Sequence, residues 1–428
     1  MSTANKLSYL NDTKSLLRTS LNKFGSNILT TDTFRSYDTK LNDIYDKLPK
    51  VTGSGSEFTL TPVQNGQVDD FKMLGVDLIQ DGEPSPDYPQ EIKVVEGRQV
   101  ITDKGKNLFD KDNANILTGF LADGGTFNST TGYKTLYISC NNSSTYTIQK
   151  TSGSFFRVAE FENIPANGDN WITRTKDDNA NVITFTTTTG NYLAVTYFKS
   201  SDTVTEQEML NSIQIEEGST ATNYEPYYEP VSYNIDLSLE NIQLAKMPNT
   251  TYKNKIYKNN GNWYYEENVK KYIIDGTESW TTQSAYSGYY RYMFVLMENY
   301  KNDNLSYGVV GMNSHFIQRI NQPHGDYEYL YLQAANNNLL SVYIQIKNLS
   351  TIANFKTWLS ENNVVVWYVL ANPVTTQITN TTLINQLEAL YLHTGTNIIT
   401  ISNDNNIIPE IEITRLKELE KLSWVKIW

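Results

Sequence analysis

Three histidines and one cysteine are the residues best suited to nucleophilic or metal chemistry in this chain of 428 residues. His315, His324 and His393 stand in no spacing typical of metal ligands, and Cys140 has no second cysteine with which to form a disulfide or a zinc-binding pair. The sequence contains neither a Gly-x-Ser-x-Gly nucleophile elbow nor a glycine-rich phosphate loop. We therefore expect no metal, no cofactor and no enzymatic activity.

Two pairs of adjacent carboxylates raise the alternative of a glycosidase. They are Glu216–Glu217 and Glu266–Glu267, and both lie in segments with strand character. Neighbouring residues of a strand point to opposite faces, so the two members of such a pair cannot flank one glycosidic bond. Two carboxylates from distant segments could still form a catalytic pair. A depolymerase that cleaves surface polysaccharide therefore remains an alternative function.

Aromatic side chains are the remaining candidates for binding, and the densest stretch runs from Trp280 to Tyr292. Sugar rings present C–H faces that stack on Trp and Tyr, while their hydroxyls bond to polar side chains. Alternation along a strand places about half of these residues in the core. We predict that Trp280, Tyr289 and Arg291 lie near a ligand-binding surface, and burial of the whole stretch is the alternative.

The composition indicates the elements that must position these residues. Charged residues make up only 19% of the chain and tyrosines number 30, a mixture that favours strands and turns. We predict a mainly β fold. The net charge of −12 has the wrong sign for binding nucleic-acid phosphates. The sequence has no secretory start and no apolar run of about 18 residues, so we expect a soluble product without membrane insertion.

The first fifty residues have a different pattern. Phe34, Tyr37, Leu41, Ile44 and Leu48 recur at alternating spacings of three and four, which predicts an amphipathic helix with an apolar stripe for oligomerisation. A seven-residue repeat upstream predicts another helix before it. We interpret residues 1–50 as a helical, coiled-coil-like attachment region. Packing of these helices on the chain's own β domains, or docking on another protein, are the alternatives.

The remaining chain divides into four predicted units. Glycine, serine and proline clusters mark a neck and linker with short strands, and regularly spaced strands follow it. A helix, a buried strand and a proline exit then occur twice, which suggests two related jelly-roll-like β-sandwich modules. The predicted units are the neck at 51–106, the first module at 107–235, the second at 236–378 and a small α+β unit at 379–428.

Several phrases, taken together, resemble segments of tailed-bacteriophage fibre and minor structural proteins. The phrase EPSPDYPQEIKVV at 83–95, followed by GKNLFD at 105–110, resembles the entry to a sandwich module of those proteins. The phrase at 213–227 is similar to that module's last strand. Further similar phrases occur at 256–265, 275–280 and 367–375, and within the first 51 residues.

The resemblance implies a homotrimeric virion appendage, made in the host cytoplasm. Its N-terminal region would attach to other virion proteins, and its distal β domains would bind a bacterial surface glycan as receptor. Tail fibres and head fibres both contain such modules, so the resemblance leaves the position on the particle open. The alternatives are a depolymerase tailspike and a purely structural decoration or adaptor without a host ligand.

Overall fold

The computed structural model describes residues 11–19, 29–31, 33, 52–62, 64–151, 156–176, 180–299, 311–319, 325–334 and 339–416. The fold is mainly β and contains several sheets, as the composition predicts. The described strands are β1 Gly53–Gly55, β2 Glu57–Leu60, β3 Gly66–Leu74, β4 Val76–Asp77, β5 Arg98–Gly105, β6 Ile116–Thr118, β7 Phe120–Leu121, β8 Phe127–Asn128, β9 Tyr133–Ser139, β10 Thr145–Gln149, β11 Arg157–Phe161, β12 Arg174–Lys176, β13 Val182–Thr186, β14 Tyr192–Lys199, β15 Gln214–Glu217, β16 Val231–Asp236, β17 Ala245–Lys246, β18 Lys255–Asn259, β19 Asn262–Ile274, β20 Thr281–Tyr286, β21 Tyr289–Asn299, β22 Gly311–Asn313, β23 Gln318–Arg319, β24 Tyr329–Ala334, β25 Leu339–Lys347, β26 Val364–Gln377, β27 Tyr391–Leu392, β28 Asn397–Asn403 and β29 Glu410–Leu416.

The described helices are few and short. They are α1 at 11–19, α2 Glu206–Leu210, α3 Ile352–Glu361 and α4 Thr381–Leu387, with a 3₁₀ turn at Leu237–Glu240. Helix α1 falls within the first predicted N-terminal helix. The predicted oligomerisation residues Phe34, Tyr37, Leu41, Ile44 and Leu48 lie outside the described residues. Among the described helices, none has the length and hydrophobicity needed to cross a membrane.

Three separate chain segments share one core, and we call them together the central unit: residues 52–105, 231–266 and 374–416. Strand β3 pairs with β29 on one side and with β18 on the other. Strand β5 likewise lies between β16 and β28. The core therefore joins residues that the sequence analysis assigned to the neck, to the second module and to the C-terminal unit.

The core of the central unit is formed by large apolar side chains from each of these segments. Phe71 of β3 packs edge-on against Trp263 of β19, with 5.8 Å between ring centroids. Leu383 of α4 and Ile411 of β29 belong to the same buried cluster. The proline-rich stretch predicted as a spacer contains a tight turn, because the backbones of Ser85 and Tyr88 bond to each other in both directions.

The first insertion, residues 106–230, leaves the central unit after β5 and returns at β16. One of its sheets has the order β13-β10-β15 and the other β12-β11-β14-β9-β6. The two sheets contribute to one buried cluster that includes Ile148, Val158, Phe185 and Val195. Helix α2 begins at a capping box, whose Thr-x-x-Glu pattern at 205–208 is a local signal for a helix start. The Thr205 and Glu208 side chains each accept from the other residue's backbone N–H.

The second insertion, residues 267–373, has a five-stranded sheet with the order β20-β21-β25-β24-β23. Tyr292, Ile344 and Phe355 lie in its core together with the N-terminal half of β26. In both insertions, the strand before the helix is central in a five-stranded sheet, and the strand after the helix lies in a different sheet. The order of helix and closing strand therefore does occur twice.

Candidate functional site

The outer side of the five-stranded sheet in the second insertion carries a concentration of aromatic and polar side chains. Along β21, Tyr292 and Phe294 point into the core. Because side chains alternate along a strand, Tyr289 and Arg291 point to the opposite side. We call this surface the tyrosine face, and it consists of Tyr289, Arg291, Tyr329, Tyr331, Tyr343, Gln345 and Lys347.

Strand register arranges these residues in rows. Tyr289 lies opposite Lys347, and in the next row Arg291 lies opposite Gln345. On the other side of β25, Tyr329 lies opposite Gln345 and Tyr331 opposite Tyr343. Adjacent strands are about 4.8 Å apart, so the side chains of one row are direct neighbours.

The middle row is buried and supports the rest of the face. Arg291 is 4% exposed, and its guanidinium carbon lies 5.8 Å from the centroid of the Tyr329 ring. The Gln345 amide nitrogen donates to the carbonyl oxygens of Gly325 at 2.8 Å and Tyr327 at 2.7 Å. These contacts fix the loop that precedes β24 against the sheet.

The first row of the face is open to solvent. Lys347 is exposed and Tyr289 is partly exposed. The Lys347 ammonium nitrogen lies 5.8 Å from the centroid of the Tyr289 ring. Tyr343 is also partly exposed and has its ring centroid 5.9 Å from that of the buried Tyr331. One aromatic ring and a cation are therefore available to a ligand at this end of the sheet, and Tyr343 lies two rows away.

Trp280 lies on the other side of the same sheet. It is 6% exposed and contacts Phe294 and Phe355 edge-on, with ring centroids 4.6 Å and 4.8 Å apart. Its indole N–H donates to Glu278 Oε2 at 3.1 Å. Of the three residues predicted to bind, the structure thus brings Tyr289 and Arg291 onto one face and places Trp280 in the core.

Sequence reasoning missed the partners that β24 and β25 contribute to the face. The alternation of Leu340, Val342, Ile344 and Ile346 predicts a strand, and β25 confirms it. From the sequence alone, the polar residues between them look like ordinary solvent-facing positions of a half-buried strand. Their pairing with Tyr289 and Arg291 spans more than fifty residues, and no local pattern signals such a register.

The adjacent carboxylates do not come together, as alternation predicts. Glu216 is buried and accepts from the backbone N–H of Thr222 at 2.8 Å, whereas Glu217 is exposed. Glu266 forms an ion pair with Lys255 at 3.0 Å. Across the ranges that the structure describes, no three His, Cys, Asp or Glu side chains converge in a way that would hold a metal ion.

Two of the histidines have close polar neighbours, and His324 lies outside the described residues. The Ser314 hydroxyl is 2.7 Å from His315 Nδ1 and also accepts from the backbone N–H of Val365 at 2.9 Å. Burial lowers the pKa of His315. Since the backbone N–H of Gln90 donates to the Ser314 carbonyl at 2.8 Å, this pair lies where the 80–90 segment packs on the second insertion.

His393 belongs to a cluster at the base of the first insertion, which we call the joint cluster: Asp103, Lys106, Glu225, Tyr228 and His393. The Asp103 carboxylate is fully buried, accepts from the Tyr228 hydroxyl at 3.1 Å and lies 3.5 Å from His393 Nδ1. The His393 ring stacks on Tyr228 with centroids 4.0 Å apart. Lys106 and Glu225 form an ion pair at 3.0 Å.

Burial dominates the electrostatics of this cluster. It raises the pKa of Asp103 to about 6, although the hydrogen bonds from Tyr228 and His393 act in the opposite direction. Burial and the neighbouring Asp103 charge raise the pKa of Tyr228, so its hydroxyl stays protonated and serves as a donor.

No protein-family model, no curated protein and no solved structure matches this chain.

Proposed function

We propose that the chain is a non-enzymatic structural fibre protein of a tailed-bacteriophage virion, and that its tyrosine face binds a glycan of the bacterial surface. The observation that carries the binding proposal is the row of Tyr289 and Lys347, which presents an aromatic ring and a cation to solvent. The phrases that resemble phage fibre proteins support the assignment to a virion.

The chemistry of the face suits sugars. An exposed tyrosine ring offers a platform for the C–H side of a pyranose, and its hydroxyl offers a hydrogen bond. The Lys347 ammonium adds three donors for sugar hydroxyls or carboxylates. Because the buried Arg291 and Gln345 row lies between the rows of Tyr289 and Tyr343 on the same face, the sheet holds both rings in fixed positions without a separate ordering cost.

The fibre proposal includes the architecture of the two insertions. We infer that both are jelly-roll-like sandwich modules, and the shared closing order of central strand, helix and final strand supports this relationship. Residues 1–50 would attach the chain to other virion proteins and associate three copies. Three copies of a weak glycan site on one particle would then bind a cell far more tightly than a single copy.

Replacing Tyr289 by alanine in the full chain is expected to weaken binding to purified host-surface polysaccharide about 2- to 13-fold. Loss of one aromatic contact of about 0.5–1.5 kcal/mol gives this range. Biolayer interferometry on immobilised polysaccharide measures the change, and Tyr88→Ala serves as the matched control because Tyr88 is an exposed tyrosine on the turn at 85–88. Equal losses in both variants would contradict the assignment, and release of reducing ends would contradict a non-enzymatic role.

Light scattering of the full chain is expected to give a mass about three times the 48.8 kDa of one chain. Replacing Leu41 by glutamate places a charge in the apolar stripe and should lower the mass toward one chain. Lys40→Glu changes a neighbouring residue outside the stripe and should leave the trimer intact. A monomer in every case, or equal dissociation by both variants, would refute trimerisation through this stripe.

A further inference from the structure

Two neighbouring chain segments connect the first insertion to the central unit, one leaving the central unit and one returning to it. The chain leaves through Lys106 and returns through 222–230, and Lys106 bonds to Glu225 and to the carbonyl oxygen of Asn223 at 2.8 Å. The loop between β27 and β28 clamps the returning segment, since the Thr396 N–H and hydroxyl donate to Glu225 at 2.7 Å and 3.0 Å.

The geometry points to a proton-operated latch: we propose that Asp103 and His393 hold the returning segment at Tyr228 against the central unit, and that loss of a proton from this cluster loosens the first insertion. Tyr228 is the residue on which the latch acts. Its hydroxyl lies 3.1 Å from Asp103 and 3.3 Å from the carbonyl oxygen of Thr396, and its ring stacks on His393.

Close packing at the joint confines the Tyr228 ring. Gly105 lies directly under the Tyr228 ring, where a Cβ atom would come within 2.9 Å of a ring carbon. The described titratable and charged groups around Asp103, from the returning segment, β5, β16, β27 and the 393–397 loop, are Lys106, Glu225, Tyr228, Tyr233, Tyr391 and His393. Among these, Lys106 is already paired with Glu225, and His393 Nδ1 lies 3.5 Å from the Asp103 carboxylate.

The direction of the effect follows from linkage. Burial raises the pKa of Asp103 from 3.8 to about 6, so the closed joint binds the proton more tightly than an open, hydrated one. Protonated Asp103 therefore stabilises the closed joint at low pH. This stabilisation is lost as the pH rises through the raised pKa of about 6. The opening equilibrium should increase about tenfold between pH 5 and pH 7.5.

Hydrogen–deuterium exchange of the full chain tests the latch, with rates corrected for intrinsic exchange at each pH. Peptides covering 222–231 and 393–397 should lose protection about tenfold from pH 5 to pH 7.5, whereas peptides of β25 should not change. Asp103→Asn keeps the size of the side chain and should remove the pH dependence at the joint. Asp81→Asn is the matched control, because Asp81 is an exposed carboxylate paired with Lys93, and it should preserve the pH dependence.

Two results would overturn the latch. One is the same pH dependence at the joint in the Asp103→Asn variant as in the unaltered chain. The other is a pH response of equal size at the joint and in β25, since that would be a global effect. Should Asp103→Asn fail to fold, the unaltered chain still provides the test. A loss of protection with rising pH at the joint peptides but not in the β25 peptides supports the latch, and equal changes in both contradict it.

Discussion

Replacing Trp280 by alanine is expected to lower the free energy of unfolding of the second insertion by about 3–5 kcal/mol. The indole is packed between Phe294 and Phe355, and its N–H bonds to the buried Glu278 carboxylate. Alanine would leave a large cavity and would also remove one donor from Glu278. The loss of stability can be measured from the urea unfolding curve and from the rate of proteolysis, each followed through peptides of residues 267–373.

Trp280→Phe and Tyr289→Ala separate packing from binding. Phenylalanine keeps most of the apolar volume and should recover part of the stability lost in the alanine variant. Tyr289→Ala should change stability by less than about 1 kcal/mol, because Tyr289 is only partly buried, and should reduce glycan binding. A Trp280→Ala variant that folds normally and loses only glycan binding would show that the indole contacts the ligand.

The strands of this fold could be predicted from the sequence because the hydrophobic pattern of a strand lies within one short segment. The alternating apolar residues of β25 and the continuous apolar residues at 364–370 each lie within one segment and predict strands, and both strands form. The predicted proline exit at 372–373 is wrong, because β26 continues through Pro373 to Gln377. The capping box at Thr205 is likewise a local pattern, since Thr205 and Glu208 are three positions apart.

The central unit could not be read from the sequence because its core depends on distant pairings. Strand β3 lies between β18 and β29, although β29 follows it by more than 330 residues. The proline-rich segment resembles a spacer in composition, yet Ile79 and Lys93 on either side of it pair with each other. Composition indicates only how stiff a segment is locally. The contact between Phe71 and Trp263 depends on how distant segments of the chain fold together.

Part of the candidate site could be predicted from the sequence, because some of its residues are close together along the chain. Tyr289 and Arg291 are two positions apart on one strand, so alternation alone places them on one face. Trp280 precedes β20 and meets the core through Phe355 of α3, a contact with no local signature. Lys347 and Gln345 join the face only through the register of β21 with β25.

Replacing Glu160 by alanine is expected to lower the free energy of unfolding of the first insertion by roughly 3–5 kcal/mol. The Glu160 carboxylate is fully buried and accepts from the backbone N–H of Thr188 at 2.7 Å, from its hydroxyl at 2.9 Å and from the backbone N–H of Gly190. Removing the carboxylate would leave buried donors without a partner. Glycine at 190 permits the contact, since a Cβ there would come within 2.4 Å of Glu160 Cγ.

Variants of Glu160 also bear on the depolymerase alternative, because a glycosidase needs two carboxylates that reach its substrate and Glu160 is a fully buried carboxylate of a β domain. The donors around Glu160 occupy both carboxylate oxygens, so we expect Glu160→Ala to lower the resistance of the first insertion to heat and to protease. We expect neither the unaltered chain nor this variant to release reducing ends from polysaccharide. Glu160→Gln should be destabilised less, since an amide oxygen in the position of Oε1 still accepts from the backbone N–H groups of Thr188 and Gly190. A Glu160→Gln variant of normal stability that abolished a measurable release of reducing ends would instead favour the depolymerase.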